Sequence, residues 1–431
     1  MPGMKPRIAF AGMTHLGLVS SVAAAAKGFE VLGFDPDAAL VGALQAGRLP
    51  IVEPDLDDTL AANAERLAFT SRIEDLAGCN VVFLSADVPT GDDGGSDLSP
   101  IRRLIETVLP HLGADAVFVV LCQVPPGFTR TVGRDGAHLF YQVETLIFGR
   151  AMERALLPER IIVGKSDSGL ALPPAYRAYL DAFGCPVLPM VYESAELAKI
   201  AINCFLVAQV TTTNTLAGLA ERIGADWGEI APALRLDARI GPKAYLGPGL
   251  GLAGGNLERD LATVQALACQ FGSEAGLIDA MTANSSLRKD WMLTTLHREV
   301  LSKMPNPVIA VLGLAYKENT RSTKNSPSLA LISCLKDWQV RVFDPVVDPE
   351  VLTHPKLVAA PSALAAAQGA DVLVIATAWP EFRSLTGEVL EKVMRGRTVI
   401  DPWRVLASAP GFDHFVLGVP PRREASLAAS S

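Results

Sequence analysis

The chain has six cysteines, Cys79, Cys122, Cys185, Cys204, Cys269 and Cys334, and no two of them stand in a C-x-x-C spacing. That scatter supplies neither a zinc-type ligand set nor a disulfide framework. There is no basic stripe: 38 lysines and arginines are set against 46 aspartates and glutamates, a formal net charge of −8. Nucleic acid and anionic membrane surfaces are therefore not expected partners. The apolar runs, such as AVFVVLC and DVLVIATAW, are strand-length and far shorter than a bilayer requires. The opening MPGMKPRIAF goes straight into a strand with no signal-peptide core. These absences lead us to expect a soluble cytoplasmic protein. At 431 residues, 49% of them hydrophobic, it is long enough for two or three domain cores.

What is present begins with a strand, Arg7 to Ala11, then GMTHLG at Gly12 to Gly17, a small-residue helix from Leu18 to Lys27, and a second strand, EVLGFD, ending at Asp35. Strand, glycine turn, helix, strand and terminal acid is the dinucleotide-binding order. The loop Gly12, Thr14, His15, Leu16 and Gly17 leads into a helix N-terminus facing the pyrophosphate, and Asp35 takes the ribose hydroxyls. A carboxylate there repels a 2′-phosphate, so the cofactor is expected to be NAD. Thr14 stands where the fingerprint asks for its middle glycine. His15 reads as a loop-shaping residue, since a helix N-terminus disfavours its cation. Further strands at Leu67 to Thr70, Asn80 to Ser85, Ala116 to Cys122 and Ile161 to Gly164 predict a parallel sheet with helices on both faces, ending near residue 191.

From Tyr192 to Arg222 the apolar residues recur at helical period, predicting one long, largely buried helix. Glu196, Lys199 and Asn203 fall on one face of it. Burial can lower a lysine pKa enough for proton exchange near neutral pH, and a neighbouring carboxylate or amide can hold it in place; the same stripe also fits a solvated charged face. Helical sequence continues to about Leu301, interrupted by GPGLGLAGGN at Gly247 to Asn256, and MPNP reads as a linker. The opening pattern then returns: VIAVLG echoes RIAFAG and VRVFDP echoes VLGFDP. This second copy lacks the phosphate-type glycine fingerprint. The expected domains are 1–191, 192–303 and 304–420, with a disordered tail at 421–431.

Together these segments resemble the UDP-glucose/GDP-mannose dehydrogenase family along nearly the whole chain. The likeness rests on the cofactor loop with Asp35, GRLPIVEPDL, VPPG, ETL, PERIIVG, AELAKIAIN, RIGPK, GLAYKENT and ATAWPEF. It implies an α/β fold of two Rossmann-like doubly wound domains joined by a long central helix and a helical dimerisation domain, hence a homodimer. It also implies NAD-dependent oxidation of a nucleotide sugar, UDP- or GDP-hexose, at C6. By position, Lys199 and Asn203 would hold the sugar hydroxyl and stabilise its oxyanion, Asp260 would pair with Lys199, and Glu144 would handle water at thioester hydrolysis. Gly251, Gly254 and Arg259 fall in the substrate loop. Lys317 and, from the partner subunit, Arg239 would meet the nucleotide diphosphate; Arg404 in DPWR matches a substrate arginine. Lys324 stands for an arginine expected near the cofactor. Surface cations are the plain alternative for Arg239 and Lys317, and salt-bridged helix residues for Glu144 and Glu196.

The resemblance breaks at the nucleophile. The family loop G-F-G-G-x-C-F-P-K-D reads GLAGGNLERD here, so the cysteine position is Asn256 and the lysine is Arg259. The companions of Glu144 are also lost, and Gln123 replaces a water-binding threonine. Without a thiol there is no covalent capture of an aldehyde, and four-electron oxidation would have to use its hydrate. A two-electron oxidation, or a redox-neutral cycle, needs only the cofactor, Lys199, Asn203 and Asp260. An inactive nucleotide-sugar-binding paralogue is a third reading. Asn256 itself fits a substrate hydrogen-bonder and a plain loop amide equally.

Overall fold

The computed structural model describes residues 5–91, 95–252, 255–407 and 409–421. Gly254 and the tail from 422 onward lie outside the described residues. The chain forms two compact units that divide between Ile202 and Asn203.

The first unit is built on an eight-stranded sheet. Its strands are β1 (Ile8–Ala11), β2 (Val31–Phe34), β3 (Leu67–Thr70), β4 (Val81–Leu84), β5 (Val117–Val120), β6 (Leu139–Gln142), β7 (Ile161–Lys165) and β8 (Val187–Val191). They lie in the order β3-β2-β1-β4-β5-β6-β7-β8. The helices are α1 (His15–Ala26), α2 (Ala38–Gln45), α3 (Leu56–Ala62), α4 (Ser99–Val108), α5 (Ala151–Leu156) and α6 (Pro174–Asp181), followed by the start of α7 (Tyr192–Ile223). Alternation along each strand sorts the two cores. Ile8, Phe10, Phe83 and Val119 pack with α1, α5 and α6, while Ala9, Ala11, Val82 and Val120 pack with α4 and with Tyr192 and Ala195 of α7.

The sequence reading missed β6 and β8 and expected a wholly parallel sheet. In fact β6 runs parallel to β5 and antiparallel to β7. This matters for the site. Because β8 pairs parallel with β7, it points away from the carboxyl edge of β1 to β6, and α7 starts at the opposite edge and runs back. Tyr192 Oη donates to the Leu139 carbonyl, at the start of β6, at 2.7 Å. Seven residues of helix advance about 10 Å, comparable to the length of that strand, which brings Lys199 to the far end of β6.

The second unit contains the rest of α7, then α8 (Trp227–Leu236), α9 (Asn256–Phe271), α10 (Gly276–Lys289) and α11 (Trp291–Leu296). A six-stranded parallel sheet follows, made of β9 (Val308–Leu312), β10 (Gln339–Phe343), β11 (Leu357–Ala359), β12 (Val372–Ile375), β13 (Thr398–Ile400) and β14 (Asp413–Phe415), with α12 (Pro327–Ser333), α13 (Ala363–Ala367) and α14 (Gly387–Val393). Its order, β11-β10-β9-β12-β13-β14, repeats that of the first six strands of the first sheet. Met292, Leu296 and Val300 belong to the core of this second sheet.

The long helix corrects a second expectation. At 32 residues α7 is long and apolar enough, by length and composition alone, to cross a membrane, and only 39% of its most apolar window is buried. Phe205 is 75% exposed, and Leu216, Leu219 and Ile223 are exposed too, so the helix is not largely buried. Several of its polar residues turn toward the protein instead. Gln209 Oε1 accepts the Tyr245 N–H, Thr213 donates to the Tyr245 carbonyl, and Asn214 Oδ1 accepts the Gly249 N–H. The loop before α9 is thus held by side chains of α7. At the helix end Glu221 accepts from Arg288, Trp291 and the Gly418 N–H.

Candidate active site

The cofactor loop forms because β1 must turn sharply into α1. Gly12 takes φ +97°, open to glycine at no cost. Gly17 packs so tightly that a side-chain carbon there would lie 1.8 Å from the Gly12 carbonyl oxygen. Thr14 stands at the N-cap position of α1 without a side-chain capping bond, and His15 and Leu16 are the first two helical residues. Asp35 Oδ2 accepts the Met13 N–H at 2.8 Å and Oδ1 accepts the Asp37 N–H at 2.9 Å, which leaves acceptor capacity on a partly exposed carboxylate. The residues fit a dinucleotide: the first and last glycines, the helix N-terminus and the acid are in place, and Thr14 adds bulk only at the middle position.

His15 is more than a loop residue. Its ring nitrogen meets Glu53 Oε1 at 2.8 Å, and Phe148 lies against the ring at 4.2 Å between centroids. The Glu53 carboxylate also accepts the Gly149 and Ala151 N–H groups. Burial works to raise the Glu53 pKa, but the His15 ring and the two backbone donors outweigh it and hold the carboxyl below its ordinary value. Glu53 therefore fastens the start of α1 to the loop after β6. The sequence pattern alone gives Glu53 no role.

At the carboxyl edge of β6, Glu144 Oε1 meets Lys199 Nζ at 2.8 Å, with side chains 15% and 12% exposed. Glu144 Oε2 accepts the Leu146 N–H at 3.0 Å, which fixes its direction. This is the edge at which ligands bind in open α/β sheets. Within the first unit Lys199 has Glu144 as its partner. In the second, Asp260 Oδ2 accepts from the Asn203 amide at 2.5 Å, and Asp260 and Arg259 are both buried on α9. Glu196, fully buried, is neither a salt-bridged nor a solvated residue: it accepts the Gly127 N–H at 2.5 Å and the Thr129 N–H at 2.8 Å. Burial pushes its pKa above the ordinary value, with those backbone donors opposing.

Asn256 is the exposed first residue of α9, after Gly255. The thiols of Cys79, Cys122, Cys185 and Cys204 are pushed up by burial, the reverse of an activated nucleophile. Arg239 is engaged with its neighbour Asp237 at 2.7 Å and is 89% exposed. Arg404, at φ +54°, pairs with Asp226 at 3.1 Å. Lys317 lies over the Tyr316 ring, Lys324 is exposed, and Gly251 takes φ +80°.

A glycine turn into a helix N-terminus, a terminal acid and a lysine–carboxylate pair on one sheet edge fit an oxidoreductase. Three models of the UDP-glucose/GDP-mannose dehydrogenase family match the chain: the NAD binding domain over residues 6–173, the central domain over 193–285 and the UDP binding domain over 310–408. Among curated relatives, UDP-glucose 6-dehydrogenase of Rhizobium meliloti is 31% identical, covering 92% of this chain and 94% of that one. The enzyme of the same name from Rickettsia typhi is 28% identical, covering 95% and 99%. Among solved structures, a UDP-glucose dehydrogenase from Pyrobaculum islandicum superposes with a TM-score of 0.86 at 26% identity, covering 97% of this chain and 99% of that one. The chain belongs to the UDP-glucose/GDP-mannose dehydrogenase family. It is an NAD-dependent oxidoreductase of nucleotide sugars.

Proposed function

We propose that this protein oxidises the C6 alcohol of a UDP-hexose, with UDP-glucose the first candidate. The match to a UDP binding domain and the names of the relatives support the nucleotide. The observation that carries the chemistry is the Lys199–Glu144 pair at 2.8 Å. Lys199 donates to the hydroxyl oxygen and stabilises negative charge there as the proton leaves. Glu144, held by the Leu146 N–H, fixes the position of the amine and receives that proton. Asn203, in the second unit, is oriented by its 2.5 Å hydrogen bond to Asp260, and the family resemblance is what gives it a part in holding the sugar hydroxyl. The cofactor loop and Asp35 would hold NAD, which when bound supplies the acceptor for the C6 hydride.

Asn256 favours a single hydride transfer ending at the carbonyl. An amide nitrogen forms no thiohemiacetal, and burial works against the thiolate form of Cys204 on α7. A panel of UDP- and GDP-hexoses, with NADH counted per product, tests both statements. One NADH per sugar supports the two-electron reading, two support full oxidation to the acid, and none with any sugar refutes the enzyme reading. Asn256→Cys should raise acid output; unchanged output removes the explanation from the missing thiol.

The working form is proposed to be a soluble cytoplasmic homodimer, with domains 1–191, 192–303 and 304–420 for cofactor, dimerisation and nucleotide. Free cysteines suit a reducing compartment. The apolar residues exposed on α7 and α10, Phe205, Leu216, Leu219, Leu277 and Leu287, support dimerisation through the central helices, from which Arg239 would reach the partner subunit's nucleotide.

A further inference from the structure

The segment after β4 lies directly on the cofactor loop. A side-chain carbon added at Gly12 would fall 2.7 Å from the Ala86 Cβ, so the two backbones are in contact. The next residue is fixed through its own backbone, the Asp87 N–H donating to Thr14 Oγ1 at 2.8 Å. From that position the Asp87 carboxylate accepts the Leu16 N–H through Oδ2 at 3.3 Å. Leu16 is the second residue of α1, and its N–H is one of the donors that a helix N-terminus offers to a diphosphate in this fold. A carboxylate of the chain itself holds the donor that the cofactor's phosphates would take.

The departure at Thr14 and the placement of Asp87 form one device. Thr14 fills the position of the fingerprint's middle glycine, and its hydroxyl is the group that anchors Asp87. We propose that Asp87, seated by Thr14, sets the affinity for the cofactor by placing a resident negative charge at the diphosphate end of the cradle. NAD binds only as the carboxylate swings away. Asp87 is exposed and can do so by side-chain rotation while its backbone stays on Thr14. Asp35 differs in kind, since its spare acceptors suit ribose hydroxyls and do not meet a phosphate. The proposal rests on the NAD reading of this loop.

The test is calorimetric binding of NAD, ADP-ribose and adenosine to the full-length wild type, Asp87→Asn and Asp87→Glu, with melting temperatures as the folding control. Asp87→Asn should bind NAD and ADP-ribose about tenfold tighter, with adenosine unchanged and the gap narrowing as salt is raised. Asp87→Glu, which keeps the charge, should stay close to wild type. The proposal is overturned if Asp87→Asn binds ADP-ribose no tighter than wild type, or if Asp87→Glu tightens equally. If neither wild type nor Asp87→Asn binds any of the three, the cofactor reading itself fails and the proposal falls with it, a result distinct from the other two.

Discussion

The two sheets open with the same gesture and put it to different use. After β1 the chain turns at Gly12 with φ +97°, and after β9 it turns at Gly313 with φ +94°. Each second strand ends in Phe-Asp-Pro, at Asp35 and at Asp344. In the first sheet the acid accepts two backbone N–H groups and keeps the rest of its capacity. In the second, Asp344 is 8% exposed and accepts five donors: Leu314, Ala315 and the Trp379 indole at Oδ2, and Val346 and Val347 at Oδ1. A carboxylate has about four lone-pair sites, so Asp344 has nothing left for a ribose. Nor does a helix follow at once, since α12 begins only at Pro327, whereas α1 begins three residues after Gly12. What separates the two aspartates is therefore spare acceptor capacity beside a helix N-terminus, not the tripeptide.

That contrast can be broken at several points. The largest effect belongs to the reactive edge of the first sheet: Lys199→Ala should lower turnover about 10²–10⁴-fold in a steady-state NADH assay, with NAD affinity unchanged in a binding titration. Equal loss of binding would mean the lysine is structural. Asp344→Ala should destabilise the protein by about 3 kcal/mol in denaturant unfolding, because five donors lose their acceptor. Asp35→Asn should leave stability within about 1 kcal/mol and weaken NAD binding by roughly tenfold or more. If the two aspartates gave the same phenotype, the distinction drawn above would be wrong.

The smallest effect concerns Glu196, whose pKa is raised by burial against the opposing Thr129 and Gly127 donors. A group raised in the folded state stabilises fully below its unfolded pKa and loses that contribution as pH rises through its folded value. The melting temperature of wild type relative to Glu196→Gln should therefore fall as pH is taken from about 4 to about 7. A difference flat with pH would show that Glu196 is not the titrating group.

The parts legible in the sequence were those written locally. Asp35 follows a strand that follows a glycine turn, and all the evidence for it sits within 30 residues. The partner of Lys199 was not of that kind. It depends on β6, a four-residue strand carrying no turn signal the reading used, and on β7 reversing direction beside it. Periodicity found the faces of α7 but could not say which would be covered, because exposure depends on what packs against the helix. The inward polar residues Gln209, Thr213 and Asn214 are matched to backbone groups more than thirty residues away, which no window along the helix contains. Glu53 lay in a segment already noticed, yet its three donors come from residues 15, 149 and 151.

Asn256 heads a helix of sixteen residues, directly after a glycine in the left-handed conformation. The peptide dipoles behind it put partial positive charge at that spot whatever side chain stands there. A thiol introduced at this point would inherit a field that favours its anion and should react readily with alkylating reagents at neutral pH. The field at that spot belongs to the helix, not to the amide that occupies it.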